Sequence, residues 1–208
     1  MPGEKEADVL IRIVDSAHAF HERNRAVLVY ARTVDGVKKV VDGLIKRKVP
    51  AGHIAQLTGT IRGKERDDLV CHPVFKRFLP EPKGDITGTV YLICTSAGEV
   101  GVNISADDLV CDLAPFDSMA QRFGRVNRFG KRKGADGSTV TVVHPLEFDR
   151  KKRLEERRER TLELLQRLQT VSPNALETLP HQACELAFTP PPNQSRPFAR
   201  VSSHRVPK

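Results

Sequence analysis

Ala26-Val-Leu-Val-Tyr30, followed by Thr33 to Lys48 with Val37, Val40, Val41, Leu44 and Ile45 recurring at helical spacing, is one β-α step. Its repetition along the chain decides the fold. His53 to Leu57 gives a second strand, and a helix from about Gly63 to Leu79 follows. Pro73 must kink or interrupt that helix, because proline has no N–H to donate and its ring collides with the preceding turn. Thr89-Val-Tyr-Leu-Ile-Cys94, a glycine-containing loop, Leu109-Val-Cys-Asp-Leu113, a helix near Ser118 to Phe129 and Thr139-Val-Thr-Val-Val143 complete the series. Five short apolar strands joined by helical or irregular crossovers predict an α/β domain, a mostly parallel sheet with helices on both faces.

Outside that series, Val9, Leu10, Ile13, Val14 and Ala17 predict an amphipathic covering helix ahead of the first strand. Pro80-Glu-Pro-Lys-Gly-Asp85 predicts a surface loop. Asp149 to Thr170 predicts a long charged helix with Leu154, Leu162, Leu165 and Leu168 on a sparse apolar side. Pairs such as Glu156 with Arg160 and Glu163 with Arg167 would support it, and it reads as a solvated helix rather than a nucleic-acid-binding one. From Thr189 onward, prolines and basic residues without acids predict a basic disordered tail or linker. The expected organisation is an α/β unit over residues 1–148, a C-terminal helical extension over 149–188 and the tail over 189–208. No internal repeat is visible.

At 208 residues there is room for one domain with an appendage, and too little for two full-sized domains. Thirty-four Lys and Arg against 26 Asp and Glu leave a formal charge of +8, which favours polyanionic partners. No apolar run approaches the length of a membrane span, and Met1-Pro-Gly-Glu-Lys5 carries no hydrophobic signal core, so a soluble, cytoplasmic protein is expected. Cys71, Cys94, Cys111 and Cys184 form no C-x-x-C pair, which argues against a zinc site and a disulfide framework.

Two stretches carry chemistry. Gln121-Arg-Phe-Gly-Arg-Val-Asn-Arg128 on a continuous helix would place Gln121, Arg125 and Arg128 at i, i+4 and i+7, an amide and two guanidiniums on one face. Guanidinium forks suit phosphate oxygens, although a solvated basic face has the same appearance. Gly124 in mid-helix, unfavourable by about 1 kcal/mol, implies close approach of another backbone or a ligand. The second stretch, Thr95-Ser-Ala-Gly-Glu-Val-Gly-Val-Asn103, follows a strand directly. Hydroxyls and glycines at the carboxyl end of a parallel strand lie where open α/β sheets place ligands, although an ordinary strand-to-helix turn has the same composition.

Together these stretches resemble motifs V and VI of superfamily 2 helicases, which belong to the second of two RecA-like domains. With Glu99 and the run from Asp112 to Arg128, the resemblance is closest to the CRISPR-associated helicase-nuclease of type I interference systems, and it spans roughly Ala26 to Pro145. Tyr30-Ala-Arg-Thr-Val34 lies where that family has motif IV, and Gly59 with Arg66 matches the Gly-to-Arg spacing of the next motif. Asn103 stands where Asp is usual, Arg32 where Asn is usual, and Gly101 where the CRISPR helicases more often have Ser, which marks a divergent subtype.

The resemblance implies that Gln121, Arg125 and Arg128 act in ATP hydrolysis and that Glu99, Gly101 and Asn103 face the nucleotide. It places Arg32, Thr33, Gly59, Arg62, Arg66, Thr95 and Ser96 against the backbone of single-stranded DNA or RNA. ATP with Mg2+ would be bound mainly by a first domain carrying the Walker A loop and D-E-x-x motif. Gly59-Thr-Ile-Arg-Gly-Lys-Glu65 has the wrong spacing and ending for that loop. His18-Ala-Phe-His21-Glu22 has neither the H-E-x-x-H order nor adjacent His-Asp residues, so it gives no sign of a nuclease metal site and reads as helix surface. The implied partners are therefore a Walker A-containing domain, in cis or in trans, and a guide-RNA surveillance complex. The alternatives are the second half of another superfamily 2 helicase and a non-catalytic nucleic-acid-binding remnant.

Overall fold

Runs of β-branched and apolar residues produce five strands, β1 (Ala26–Tyr30), β2 (Ile54–Leu57), β3 (Val90–Cys94), β4 (Asp108–Asp112) and β5 (Val140–Val143). In this computed structural model all neighbours pair in parallel, in the order β2-β3-β1-β4-β5. The description covers residues 6–59, 71–81, 86–99, 103–181 and 183. Every residue of β1, β3 and β4 is buried, as parallel strands covered on both faces must be.

Successive side chains point to opposite faces, and each face has its own core. Val27, Val29, Tyr91, Ile93 and Val110 face α1 (Glu6–His18) and α2 (Val34–Lys46). Leu28, Tyr30, Leu92, Cys94, Leu109 and Cys111 face the other way. They meet Phe75 of the short α3 (Pro73–Lys76) and Met119 and Phe123 of α4 (Phe116–Phe123). Helices α1 and α2 pack closely because residue 43 is glycine: a Cβ there would lie 2.8 Å from Val14 Cγ2.

Pro73 interrupts rather than kinks: it starts α3 at its first turn, where its missing N–H costs nothing, and His72 Nδ1 caps it by accepting from Val74 N. The Gly63–Leu79 expectation otherwise falls largely outside the described residues. Helix α4 stops at Phe123 rather than Phe129. The charged helix, α5 (Arg153–Leu165), is shorter than expected and better buried. Arg158, Thr161 and Leu164 are buried, whereas Leu154 is 47% exposed. Leu164 packs with Phe116 of α4 and Leu179, just beyond α6 (Pro173–Glu177). Glu156 and Arg160 pair at 2.6 Å, but α5 ends before Arg167, and no Glu163–Arg167 pair occurs among the described residues. The tail expected over 189–208 lies outside the described residues. Among those described, no helix is long and apolar enough to cross a membrane.

Candidate nucleotide and nucleic-acid interface

The carboxyl ends of β1, β3 and β4 supply Tyr30, Cys94 and Asp112, and the chain turns over them through a one-turn 3-10 helix, Ser96–Gly98. Thr95 caps that turn, its hydroxyl accepting from Ala97 N at 3.4 Å. Gly98 is required by space: a Cβ would sit 2.8 Å from Cys94 Sγ and 2.9 Å from Cys94 Cβ. With the turn this low, Tyr30 Oη donates to Gly98 O at 2.9 Å. Burial holds the Tyr30 phenol above its ordinary value, so it remains a neutral donor.

Beneath this turn lies an arginine that the sequence did not single out. Arg122, in the last turn of α4, is buried. Its Nε donates to Glu99 Oε1 at 2.8 Å, and Nη1 donates to Asp112 Oδ1 at 3.0 Å and Asp112 O at 2.8 Å. Its guanidinium carbon lies 4.6 Å from the centre of the Tyr30 ring. Burial alone would lower the affinity of Arg122 for its proton, but the Asp112 and Glu99 charges outweigh that, and the guanidinium is held above its ordinary value. One buried cation thus joins the turn after β3, the end of β4 and α4. The Glu99 carboxylate, expected to face a nucleotide, is turned inward to this pair.

The remaining motif residues do not share a helix face. Gly124 ends α4 at φ −64°, and a Cβ there would meet only carbonyl oxygens at ordinary distances, 3.5 and 3.6 Å. It is a helix stop, and within the described chain no close approach requires it. Beyond it Val126 pairs with Ala106, and Asn127 adopts φ +45°. Arg125 and Arg128 therefore project from an irregular segment laid beside Glu99 and residues 103–106. Arg125 Nη2 donates to Glu99 O at 2.8 Å, Arg128 Nη1 to Asn103 Oδ1 at 3.0 Å, and Arg128 N to Ser105 Oγ at 3.0 Å. Gln121, on α4, is exposed, as are Asn103 and Arg128. The strand-to-turn stretch and the arginine-rich stretch come together as one surface, through hydrogen bonds rather than a helical period.

Arg32 and Thr33, after β1, are exposed on the same end of the sheet as Asp112. Thr33 caps α2, its hydroxyl accepting from Gly36 N at 3.0 Å. Arg32 Nε lies 3.7 Å from Asp112 Oδ2, and Nη1 lies 3.7 Å from Glu155 Oε1 on α5. Ser96 and Gly59 are exposed after β3 and β2, Gly59 at φ +71°, a left-handed conformation that favours glycine. Arg62, Arg66 and Gly101 lie outside the described residues.

The exposed donors here, the guanidiniums of Arg32 and Arg128 and the amide of Gln121, fit the oxygens of a polyphosphate or a nucleic-acid backbone. Among the described residues, no group of three or more His, Cys, Asp and Glu side chains is placed to hold a metal ion.

Solved structures share this fold. A CRISPR-associated protein aligns at 17% identity and a TM-score of 0.58, covering 97% of this chain and 22% of that one. T. fusca Cas3 with AMPPNP aligns at 16% identity and a TM-score of 0.66, covering 90% and 22%. The ATP form of T. fusca Cas3 gives 16%, 0.63, 86% and 21%. At these identities the likeness establishes the RecA-like fold. This chain spans about a fifth of the length of those proteins. No curated protein matches it in sequence. The family model for CRISPR-associated nuclease/helicase Cas3, C-terminal, however, matches residues 23–131, from just before β1 to just past Arg128. That is more than half of the chain, and it contains both chemical stretches: the chain belongs to the Cas3 C-terminal helicase family.

Proposed function

We propose that this chain is the second motor domain of an ATP-dependent DNA helicase of CRISPR interference, working with a Walker A and D-E-x-x domain supplied in cis or in trans. The observation that carries the reading is the convergence of Arg125 on Glu99 and of Arg128 on Asn103 and Ser105 beside the carboxyl ends of parallel strands, where α/β sheets hold phosphates. ATP supplies the phosphoryl group, and Mg2+ would be held mainly by the first domain, since the residues here offer cations and amides to phosphate oxygens.

On closure, Arg128 would exchange Asn103 for a phosphate oxygen, and Arg125 would be steadied by the Glu99 carbonyl while charge develops on the transferred group. Gln121 would orient the attacking water or contact the same phosphate. Asn103 supplies an acceptor for a ribose hydroxyl without the charge of an aspartate. Thr95, Ser96, Thr33 and Arg32, with the Gly59 to Arg66 region, would hold the backbone of a single strand, a contact that gives affinity without reading sequence. Because Glu99 and Arg122 tie the Thr95–Ser96 turn to α4, movement at the nucleotide is passed to the strand. Recruitment by a guide-RNA surveillance complex belongs to the same reading.

The test is DNA-stimulated ATP turnover after mixing this chain with its Walker A partner domain. Arg128→Ala is expected to lower kcat about 100-fold or more at saturating ATP and DNA while leaving binding of both within a few-fold, because the guanidinium matters most in the transition state. A folded Arg128→Ala protein with unchanged kcat overturns the reading.

A further inference from the structure

Helix α5 lies outside the region matched by the family model, yet it reaches the end of the sheet that carries Arg32. Arg32 and Glu155 line an open groove of about 400 Å3 with Thr33, Asp112, Leu10 and Ile13. Within the described residues the Arg32 side chain makes no hydrogen bond; its ion-pair partners are Asp112 at Nε and Glu155 at Nη1, each 3.7 Å away. Both carboxylates are fixed from behind. Asp112 is held by buried Arg122 at 3.0 Å. Glu155 takes both oxygens to Arg158 Nη1, at 2.7 and 2.9 Å, and Arg158 is itself buried and rooted to the backbone, its Nε donating to Leu113 O at 2.7 Å. A long exposed side chain is thus held between two anchored charges contributed by different elements.

We propose that Glu155 is a positioning residue for Arg32, with Arg158 as its buried anchor, so that α5 is a working part of the strand-binding surface. This rests on Arg32 contacting a strand phosphate, as in the function proposed above. Two anchored carboxylates restrict the arginine to orientations that span the end of β1, so less freedom is lost when a phosphate accepts from its remaining N–H groups. The pairs are long and partly exposed, hence weak, and a phosphate can be added without first breaking a tight ion pair.

Positioning and simple electrostatics forecast opposite signs. Glu155 carries negative charge beside a phosphate site, so if charge alone mattered, Glu155→Gln would raise affinity for a polyanion. Positioning requires it to fall. The measurement is binding of a labelled oligo-dT to the full chain by fluorescence anisotropy across a salt series, for the wild type, Glu155→Gln, Arg32→Ala and the double variant. Arg32→Ala is expected to weaken binding about 3- to 10-fold and to lower the salt slope by about 1. Glu155→Gln is expected to weaken binding about 3-fold in the presence of Arg32 and to have no further effect in its absence. Glutamine keeps an oxygen for Arg158; a melting curve checks that α5 remains docked. Glu155→Asp, which keeps the charge but withdraws it by one methylene, should also weaken binding only when Arg32 is present. If Arg32→Ala leaves binding unchanged, the phosphate role of Arg32 and the proposal fall together. If Arg32→Ala weakens binding but Glu155→Gln raises affinity, or acts equally in both backgrounds, or Glu155→Asp binds as the wild type does, positioning alone is overturned.

Discussion

The two edges of the sheet use the same chemistry, arginine against aspartate and glutamate, for different ends. At the amino edge Arg25, 7% exposed at its side chain, donates through Nε and Nη2 to fully buried Asp108 at 2.6 and 3.0 Å. It also gives Nη2 to Gly137 O at 2.7 Å and Nη1 to Asp136 Oδ1 at 2.7 Å. Asp108 Oδ1 accepts from Thr139 N, and Asp107 Oδ2 accepts from Ala26 N, each at 2.8 Å. Arg132 closes the set on Asp107 through Nε and Nη2. The starts of β1, β4 and β5 are thereby locked to one another. At the carboxyl edge Arg122 is enclosed in this way, and Arg158 is buried against Leu113 O and Glu155. Arg32 stands 3.7 Å from its acids, and Arg128 holds only a neutral amide by its side chain within the described residues. Fully satisfied buried networks rigidify; guanidiniums kept at the surface on weak partners remain available to an anion. The difference separates the edge that holds the fold from the edge that meets a ligand.

The strongest test of this contrast is to remove Arg25. Arg25→Ala leaves Asp108 buried with only a backbone N–H, and breaking one side of a buried pair costs about 3–5 kcal/mol. Urea unfolding is expected to show a loss of that size. A loss below about 1 kcal/mol would mean that the amino edge is no more committed than the carboxyl edge, and the comparison would collapse.

Arg122→Lys sharpens it from the other side. Lysine keeps the charge but not the planar fork, so it cannot reach Glu99 and Asp112 together. One charge-assisted contact is lost, about 1.5–3 kcal/mol. The same substitution should reduce single-strand binding, because the Thr95–Ser96 turn loses its tie to α4. Equal stability with unchanged binding would show that Arg122 is only packed there.

These arginines explain what could be read in advance and what could not. The strands were legible because burial on both faces demands apolar, β-branched runs, a demand that shows in sequence whatever the partners. Gln121, Arg128, Ser96 and Thr33, which motif spacing singled out, are exposed, and their roles are proposed. Arg122 was not, because its burial depends on acids 23 and 10 positions away, and nothing local distinguishes a buried arginine from a solvated one. A signal existed at Asp112, an acid within a run that reads as buried, which requires a cation nearby; Asp108 points to Arg25 in the same way. The helix through Gln121–Arg128 was misread because a charge period of i, i+4, i+7 does not reveal where the backbone stops, and Gly124 is an ordinary stop signal. Of the leucines expected on the apolar side of the charged helix, Leu165 and Leu168 pack on the Phe116–Leu164–Leu179 cluster while Leu154 is exposed, and Arg158 and Leu164 complete the buried side.

The smallest expected effect concerns Asp136, the exposed joint of the amino edge. Its side chain is 68% exposed, yet it accepts from Arg132 Nη1 at 2.5 Å and from Arg25 Nη1 at 2.7 Å. The hydrogen bond from Arg132, with the Arg132 and Arg25 charges, holds its carboxyl below the ordinary carboxylate value of 3.8 against the opposing effect of desolvation. A carboxyl whose folded value is depressed contributes stability that is fully present above the unfolded value and disappears as pH falls through the folded one. The contribution therefore stands at neutral pH and fades only in the acid range below about pH 4. Solvent screening makes it small, since one partner of the joint is open to water. Asp136→Asn should leave the melting temperature at pH 7 only slightly lower and flatten its decline below about pH 4, with the effect shrinking as salt is added. If the variant instead loses as much stability at pH 7 as Arg25→Ala, Asp136 belongs to the buried lock, and the boundary between closed and open parts of this edge must be drawn outside residue 136.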